Sequence, residues 1–491
     1  MSREVGVLPG GRRRRPYYRL SRRDNRTRGE GRAAASFMRH AQRRAGECHI
    51  VARTTKQDKV RELQRTLYRA AKADPGRRFH ALYDKVYRRD VLERAWELVR
   101  ANRGAAGTDK QSIADVEEYG IDRLLDELAA DLKEGRWRLL PARRVFIPKP
   151  GRKELRPLSI PAVRDRVVQS ATKTVIEPIF EADMLECSFG FRPGRSAHDA
   201  LQVVIDESWR GRRWVAESDI ANCFEAIPHS ELMSAIEERI SDRNLLKLLR
   251  AMLRAGVLEQ GAVTRSTSGT PQGGVISPVL CNVYLHRLDR QWADRGTGVL
   301  IRYADDLLVM CQTEREAESA LQALEAILGE LGLSLKHAKT RIVHLREGGE
   351  GFDFLGFHHR YVRGNTPRSG HLTFLVRWPS RQAMQHARDR VREITARERL
   401  ALPVDDIVQD LNRFLRGWAG YFRYGNSAQF FDKISLYAVN RLAIFVANRH
   451  ERERRWGWWV VARQSPDHLG LIDLNGTIVP PRPFQSRHRG R

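Results

Sequence analysis

The run VLIRYADDLLVM, residues 299–310, is apolar at both ends yet carries Asp305 and Asp306 at its centre. A carboxylate buried without a partner is strongly disfavoured, so something must neutralise the pair. Two short strands meeting there would form a hairpin with both carboxylates at its tip. A second apolar stretch, WVAESDIANCFEAI, brings Asp219 to the end of another strand. Set side by side, the two strands would present Asp219 next to Asp305. A divalent cation is the natural counter-charge, because Mg²⁺ takes one or two carboxylates together with substrate phosphates. Two ions about 4 Å apart suit in-line phosphoryl transfer. Read alone, Asp305 and Asp306 fit a polar hairpin turn equally well, since aspartate is common in turns.

Other blocks carry their own pairs of readings. TSGTPQGGVISPVL, residues 267–280, surrounds Gln272 with glycines and prolines. That composition serves close backbone approach, or an ordinary loop before a helix. FIPKPGRKELRPLSIP, residues 146–161, sets Lys149, Arg152, Lys153 and Arg156 on a hairpin between two strands. Alone, it reads as a solvated basic turn. SFGFRPGRSAHDAL, residues 188–201, places Arg192 and Arg195 just before a helix that begins near Ser196. Such a start holds phosphate or is a plain cap. No Ser-His or Cys-His constellation competes with the carboxylates.

These residues need a scaffold, and the periodicities predict one. Residues 1–53 are Arg-rich and weakly patterned, a flexible basic arm. From Thr54 to about Asn102 apolar residues recur at helical spacing, and IDRLLDELAADLKEG adds an amphipathic helix closed by Gly135. From Trp137 to about His359 short strands alternate with helices, which predicts an α+β domain over residues 54–375. Strands fade near Ser380, so residues 376–450 form a separate helical module. Residues 451–491 are a basic, tryptophan-rich tail.

Composition narrows the function. With 41% hydrophobic residues among 491, the chain is globular and long enough for two or three packed domains. Lys plus Arg number 87 against 60 Asp plus Glu, a formal charge of +27 that calls for a polyanionic partner, most often nucleic acid. No apolar run has the length of a membrane span, and MSREVGVLPGG lacks a signal-peptide core, so no membrane role is expected. Five cysteines without a CxxC spacing argue against a disulfide framework or a cysteine zinc site and fit a reducing compartment.

Taken in order, NRGAAGTDK, IPKPGRKELRPLSIP, SFGFRPGRSAHDAL, ESDIANCFEAIPH, GTPQGGVISPVLCNVYLHRLD, RYADDLLV, LSLKHAKTRIV and FDFLGF closely resemble the group II intron-encoded reverse transcriptase, or maturase, family. The likeness runs from about residue 55 to about residue 450. It implies a right-hand polymerase with fingers and palm, followed by an all-helical thumb or maturase domain. By that resemblance Asp219 and Asp305 are metal ligands, Asp306 completes the trio with less direct contact, and the Ile220 carbonyl is a further ligand. The cofactor implied is a pair of Mg²⁺ ions, with Mn²⁺ as a substitute. Lys149 and Arg156 grip the incoming triphosphate. Pro271, Gln272 and Gly273 line the nucleotide pocket, and Phe224 blocks the sugar 2′-hydroxyl. Lys339 lies near the leaving pyrophosphate as an acid. Phosphoryl transfer asks for such positioned cations rather than a protein nucleophile.

The segment LNRFLRGWAGYFRYGNSAQFFDKISLYAVNRLAIFVANRH resembles the thumb of the same family. Its aromatics Trp418, Tyr421, Phe422 and Tyr424 read first as core, second as base-stacking partners. Arg413, Arg416 and Arg423 are the RNA contacts expected there, beside Arg192 and Arg195 upstream. The partners implied are structured intron RNA, an RNA template with DNA primer, dNTPs and target DNA, in a bacterial cytoplasm and at the nucleoid when on DNA. Many family members end in a cysteine-bearing HNH endonuclease. The cysteine-free tail predicts none here, and leaves a possible DNA-binding remnant. An RNA-binding splicing cofactor with an idle polymerase, or a domesticated defence or CRISPR-associated relative, are the alternatives.

Overall fold

A computed structural model describes residues 56–148, 155–265, 267–270, 273–364, 370 and 372–479. Lys149, Arg152, Lys153, Pro271, Gln272 and the arm of residues 1–53 lie outside the described residues.

Amphipathic helices come first. α1 (Lys56–Ala73), α2 (Arg89–Ala101) and α3 (Ile121–Lys133) alternate apolar and charged residues at three- and four-residue spacing. That spacing gathers Leu124, Leu125, Leu128 and Leu132 into one buried stripe on α3. The helical stretch expected over Thr54–Asn102 is broken: α1 ends before Asp74-Pro75-Gly76. Proline lacks the N–H to continue a helix and disfavours helical backbone before it. All three helices pack on α4 (Val163–Glu181), which is buried along most of its length, polar residues such as Asp165, Gln169 and Thr172 included.

The strands are β1 (Ala142–Pro148), β2 (Leu155–Ile160), β3 (Trp214–Asp219), β4 (Val257–Glu259), β5 (Ala262–Thr264), β6 (Val299–Tyr303), β7 (Asp306–Cys311), β8 (Arg341–His344), β9 (Phe352–Phe354), β10 (Phe357–Arg363) and β11 (Thr373–Pro379). One sheet runs β2-β1-β4-β5, a second β6-β7-β3-β8, a third β11-β10-β9. Between them lie α5 (Ala197–Trp209), α6 (Arg243–Arg254), α7 (Ser277–Arg295) and α8 (Glu314–Glu330).

The second sheet separates two cores. Ala216, Leu307, Val309 and Cys311 join the core that contains α7 and α8. Val215, Ile301, Leu308 and Met310 join the other, with α9 (Arg381–Ile394), α10 (Val404–Phe422) and α11 (Ala428–Arg449). Successive residues of a strand face opposite ways, so a sheet covered on both sides demands apolar residues at every position. That is why residues 299–310 lack an alternating pattern. The protein is thus mixed α/β with a helical C-terminal region. Among the described residues no helix is long and apolar enough to cross a membrane.

Candidate active site

β3 lies at the centre of the second sheet, antiparallel to both β7 and β8. Its last residue, Asp219, stands directly opposite Asp306, the first residue of β7. The ladder therefore pairs Asp219 with Asp306, whereas the sequence reading set Asp219 beside Asp305. The reason is the turn. Tyr303 pairs with Asp306, so the hairpin loop is only Ala304 and Asp305, with Ala304 at φ 57°. Asp305 sits one step past the ladder, and its carbonyl accepts from the Ile220 N–H at 3.0 Å. Asp219 and Asp306 line one cleft of about 640 Å³ with Glu217 and Lys339.

The charges in this corner are unevenly balanced. Lys339 forms an ion pair with Asp219. It is placed by the turn His337–Lys339, which the Lys336 N–H ties to the Asp219 carbonyl at 2.8 Å. Burial pushes the Asp306 carboxyl up to about 7, and the charges of Asp305 and Glu217 push the same way. Burial also raises Asp305, against the opposing pull of Arg156 and Lys336. Glu217 is raised by burial as well, though Arg341 donates to it at 2.9 Å.

Beneath the turn lies a lattice that the sequence reading missed. Arg302 and Asp289 have fully buried side chains. Arg302 donates twice to Asp289, at 2.7 and 2.6 Å, to Asn282 Oδ1 at 3.1 Å, to Ser188 Oγ at 2.7 Å and to the Ala304 carbonyl at 3.3 Å. Asn282 in turn donates to the Gly190 carbonyl at 2.8 Å. A Cβ on Gly190 would lie 2.4 Å from the Ala304 nitrogen, so only glycine lets this segment reach the turn. The signal was present in the sequence, a charge inside an apolar strand.

The nucleotide-side residues converge on the same corner in part. Phe224 is 8% exposed, and its ring meets Phe191 edge-on at 6.4 Å. Its carbonyl accepts from the Thr270 N–H at 2.6 Å, which seats the loop before α7 against it. Gly273, at φ 102°, packs so tightly on β2 that a Cβ would lie 2.6 Å from the Ser159 carbonyl. Arg156, on β2 opposite Ile147, is exposed and near enough to oppose the rise at Asp305.

Arg192 requires a correction. It is 8% exposed, grips Glu181 at 2.7 Å and donates to the carbonyls of Leu185 and Ser188 at 2.6 and 2.7 Å. Its guanidinium ties α4 to the following loop and is closed to RNA. The helix start beside it is a reciprocal cap between Ser196 and Asp199, the plainer of the two readings. Arg195 is half-buried over the Phe189 ring.

In the C-terminal helices Trp418 and Phe422 belong to the core, and Tyr421 donates to the Leu355 carbonyl at 2.8 Å. Arg413 and Arg416 are exposed on α10, with Arg413 paired to Asp410 at 3.1 Å. Arg423 lies half-buried over the Tyr424 ring.

Among the described residues no set of three or more His, Cys, Asp or Glu side chains is arranged to hold a metal ion. The donors nevertheless fit a hard cation. They are carboxylates, Asp306 is held up by burial beside other acids, and Mg²⁺ is ordinarily bound by few protein oxygens plus phosphate.

Comparisons with known proteins agree with this geometry. Residues 147–359 match the family described as reverse transcriptase (RNA-dependent DNA polymerase), and residues 384–463 match the group II intron, maturase-specific domain. Protein YkfC of Escherichia coli K12 is 33% identical over 371 residues, 67% of this chain and 94% of its own length. The group II intron-encoded protein LtrA of Lactococcus lactis is 37% identical over 212 residues, 43% of this chain and 35% of its own. Nuclear intron maturase 4 of Arabidopsis thaliana is 29% identical over 219 residues, 44% of this chain and 26% of its own. The chain belongs to the group II intron-encoded reverse transcriptase/maturase family.

Proposed function

We propose that this chain is an RNA-directed DNA polymerase that extends a DNA primer on an RNA template by two-metal nucleotidyl transfer. It also binds its intron RNA, to assist splicing and to carry the intron into target DNA. One observation supports the reading above the rest: Asp219 and Asp306 oppose each other across one ladder, with Asp305 in the adjoining turn, and burial leaves the latter two short of counter-charge. Bound Mg²⁺, or Mn²⁺ in its place, supplies that charge and polarises the reacting phosphate. Asp219, Asp305, Asp306 and the Ile220 carbonyl are the holding groups.

The remaining roles belong to the chain's own residues. Arg156 and Lys149 grip the triphosphate of the incoming dNTP. Pro271, Gln272 and Gly273 line the nucleotide pocket, and Phe224 closes the space a 2′-hydroxyl would take. The primer 3′-oxygen bonds to the α-phosphorus as the bond to pyrophosphate breaks. Lys339, held beside Asp219, gives a proton to the departing pyrophosphate. In this reading residues 54–375 are fingers and palm, and residues 376–450 the thumb or maturase domain. The basic arm of residues 1–53 and the tail of residues 451–491 flank them. Arg195, Arg413, Arg416 and Arg423 contact RNA.

Primer extension on an RNA template with Mg²⁺ and dNTPs, beside Asp305→Ala, tests the proposal. Extension by the wild type alone, with RNA binding kept within a few-fold in the variant, is the expected result. No extension by either protein, with RNA binding intact, would overturn the polymerase and leave an RNA-binding splicing cofactor.

A further inference from the structure

A second charged groove lies apart from the carboxylate cleft and shares no lining residue with it. It has a volume of about 880 Å³, between the end of α3 and the face of α6. Lys133, Arg138, Lys247, Arg254 and Arg265 line it and are exposed, against the single acid Glu134. That acid is already held by Arg136. Lys133, Lys247, Arg254 and Arg265 have no carboxylate partner among the described residues. Elsewhere the arginines are commonly tied in ion pairs, as Arg89, Arg287 and Arg295 are.

The groove is built, not incidental. Asp242 caps α6 through the N–H groups of Asn244 and Leu245, and its other oxygen accepts from the N–H groups of Leu82 and Tyr83 at 2.8 Å each. The Tyr83 hydroxyl donates to the Leu132 carbonyl at 2.7 Å, at the end of α3. One tyrosine thus braces both walls. Trp137, only 7% exposed, lines the groove with its ring and keeps its indole nitrogen buried beneath it.

We infer that this groove binds the phosphate backbone of structured RNA at a site separate from the polymerase cleft. Lys247 and Arg254 are seven residues apart on α6, a rise of about 10 Å, too spread for one phosphate and suited to a run of them. The choice of RNA over DNA rests on the intron-RNA reading above.

The test uses the full chain and a fluorescently labelled RNA hairpin, since phosphate contacts carry no sequence information and need no special ligand. Lys247→Glu with Arg254→Glu should lower hairpin affinity at least tenfold. It should also flatten the salt dependence of log K by about 1.4–1.8, two contacts' worth. Lys247→Arg with Arg254→Lys should bind like the wild type, which separates lost charge from lost fold. Extension of a short template-primer should be unchanged. Hairpin affinity within twofold of wild type, or a loss confined to duplex DNA, would overturn the inference. So would a matching loss of short template-primer extension, since the groove would then be part of the polymerase track. A wild type that binds the hairpin through this groove yet extends no primer would sink the polymerase reading alone.

Discussion

Arg302 and Asp305 belong to one hairpin and are both withdrawn from water, but their charges are treated in opposite ways. Arg302 is surrounded by acceptors, with Asp289 bidentate and Asn282, Ser188 and the Ala304 carbonyl filling the remaining directions. Asp306 faces the charges of Asp305 and Glu217, while Asp305 has the cations Arg156 and Lys336 to set against its burial. The lower cluster is complete without any ligand. The upper one is left with raised carboxyls that its neighbours do not fully offset. Buried charge therefore has two settings in one hairpin: the satisfied pair fixes where the turn lies, and the unsatisfied pair is where the proposed function puts the cations.

The largest effect expected from this contrast is on stability. Arg302→Met leaves Asp289 buried and unpaired, and should cost about 3–5 kcal/mol. Thermal or denaturant unfolding measures it. Adding Asp289→Leu should restore much of the loss, because replacing both partners of a buried pair with apolar groups is often near neutral. A single variant as stable as wild type would show that the lattice does not hold the turn.

Asp165 offers a milder, intermediate case. It is fully buried in the first turn of α4, and one carboxylate oxygen accepts from the Leu140 N–H at 3.0 Å. The other oxygen has no partner among the described residues. Burial, with the charge of Asp109 adding to it, raises its pKa to about 7. A raised carboxyl favours the folded state while it is protonated. Its contribution is fully present below about pH 4, where the unfolded chain is protonated too, and is lost as pH rises through 7. Asp165→Asn keeps an acceptor for Leu140 and carries no charge. It should raise the melting temperature at about pH 8, with a gain that shrinks toward about pH 4. A difference independent of pH would mean that Asp165 is charged in the fold and compensated.

What was legible in the sequence follows the same division. The three aspartates announced themselves because charge inside an apolar run has few explanations. Their register did not. It depends on a two-residue loop in which alanine takes the left-handed conformation, and Ala304 is not the glycine or asparagine that marks such a turn. Arg302 gave the same signal as the aspartates but was passed over, because its partners come from residues far along the chain. Arg192 was misread for the same reason. Beside glycines before a helix it looks like a phosphate ligand, and only the packing of α4 shows that Glu181 claims it. The break after α1 was readable from Asp74-Pro75-Gly76 alone.

The smallest effect lies at Phe224, five residues past Asp219 and fixed from two sides. Its ring meets Phe191 at an interplanar angle of 78°, and its carbonyl holds the Thr270 N–H at 2.6 Å. In the proposed function, a wall anchored at both ring and backbone would not swing to admit a larger sugar. Phe224→Leu shortens the wall while keeping an apolar side chain, so the fold should lose less than about 1.5 kcal/mol. The preference for dNTP over the matching rNTP, read as a ratio of kcat/KM, should fall by about tenfold, or about 1.4 kcal/mol of discrimination. The loss should appear as faster rNTP use with dNTP use little changed. An unchanged ratio would return Phe224 to the role of a core residue.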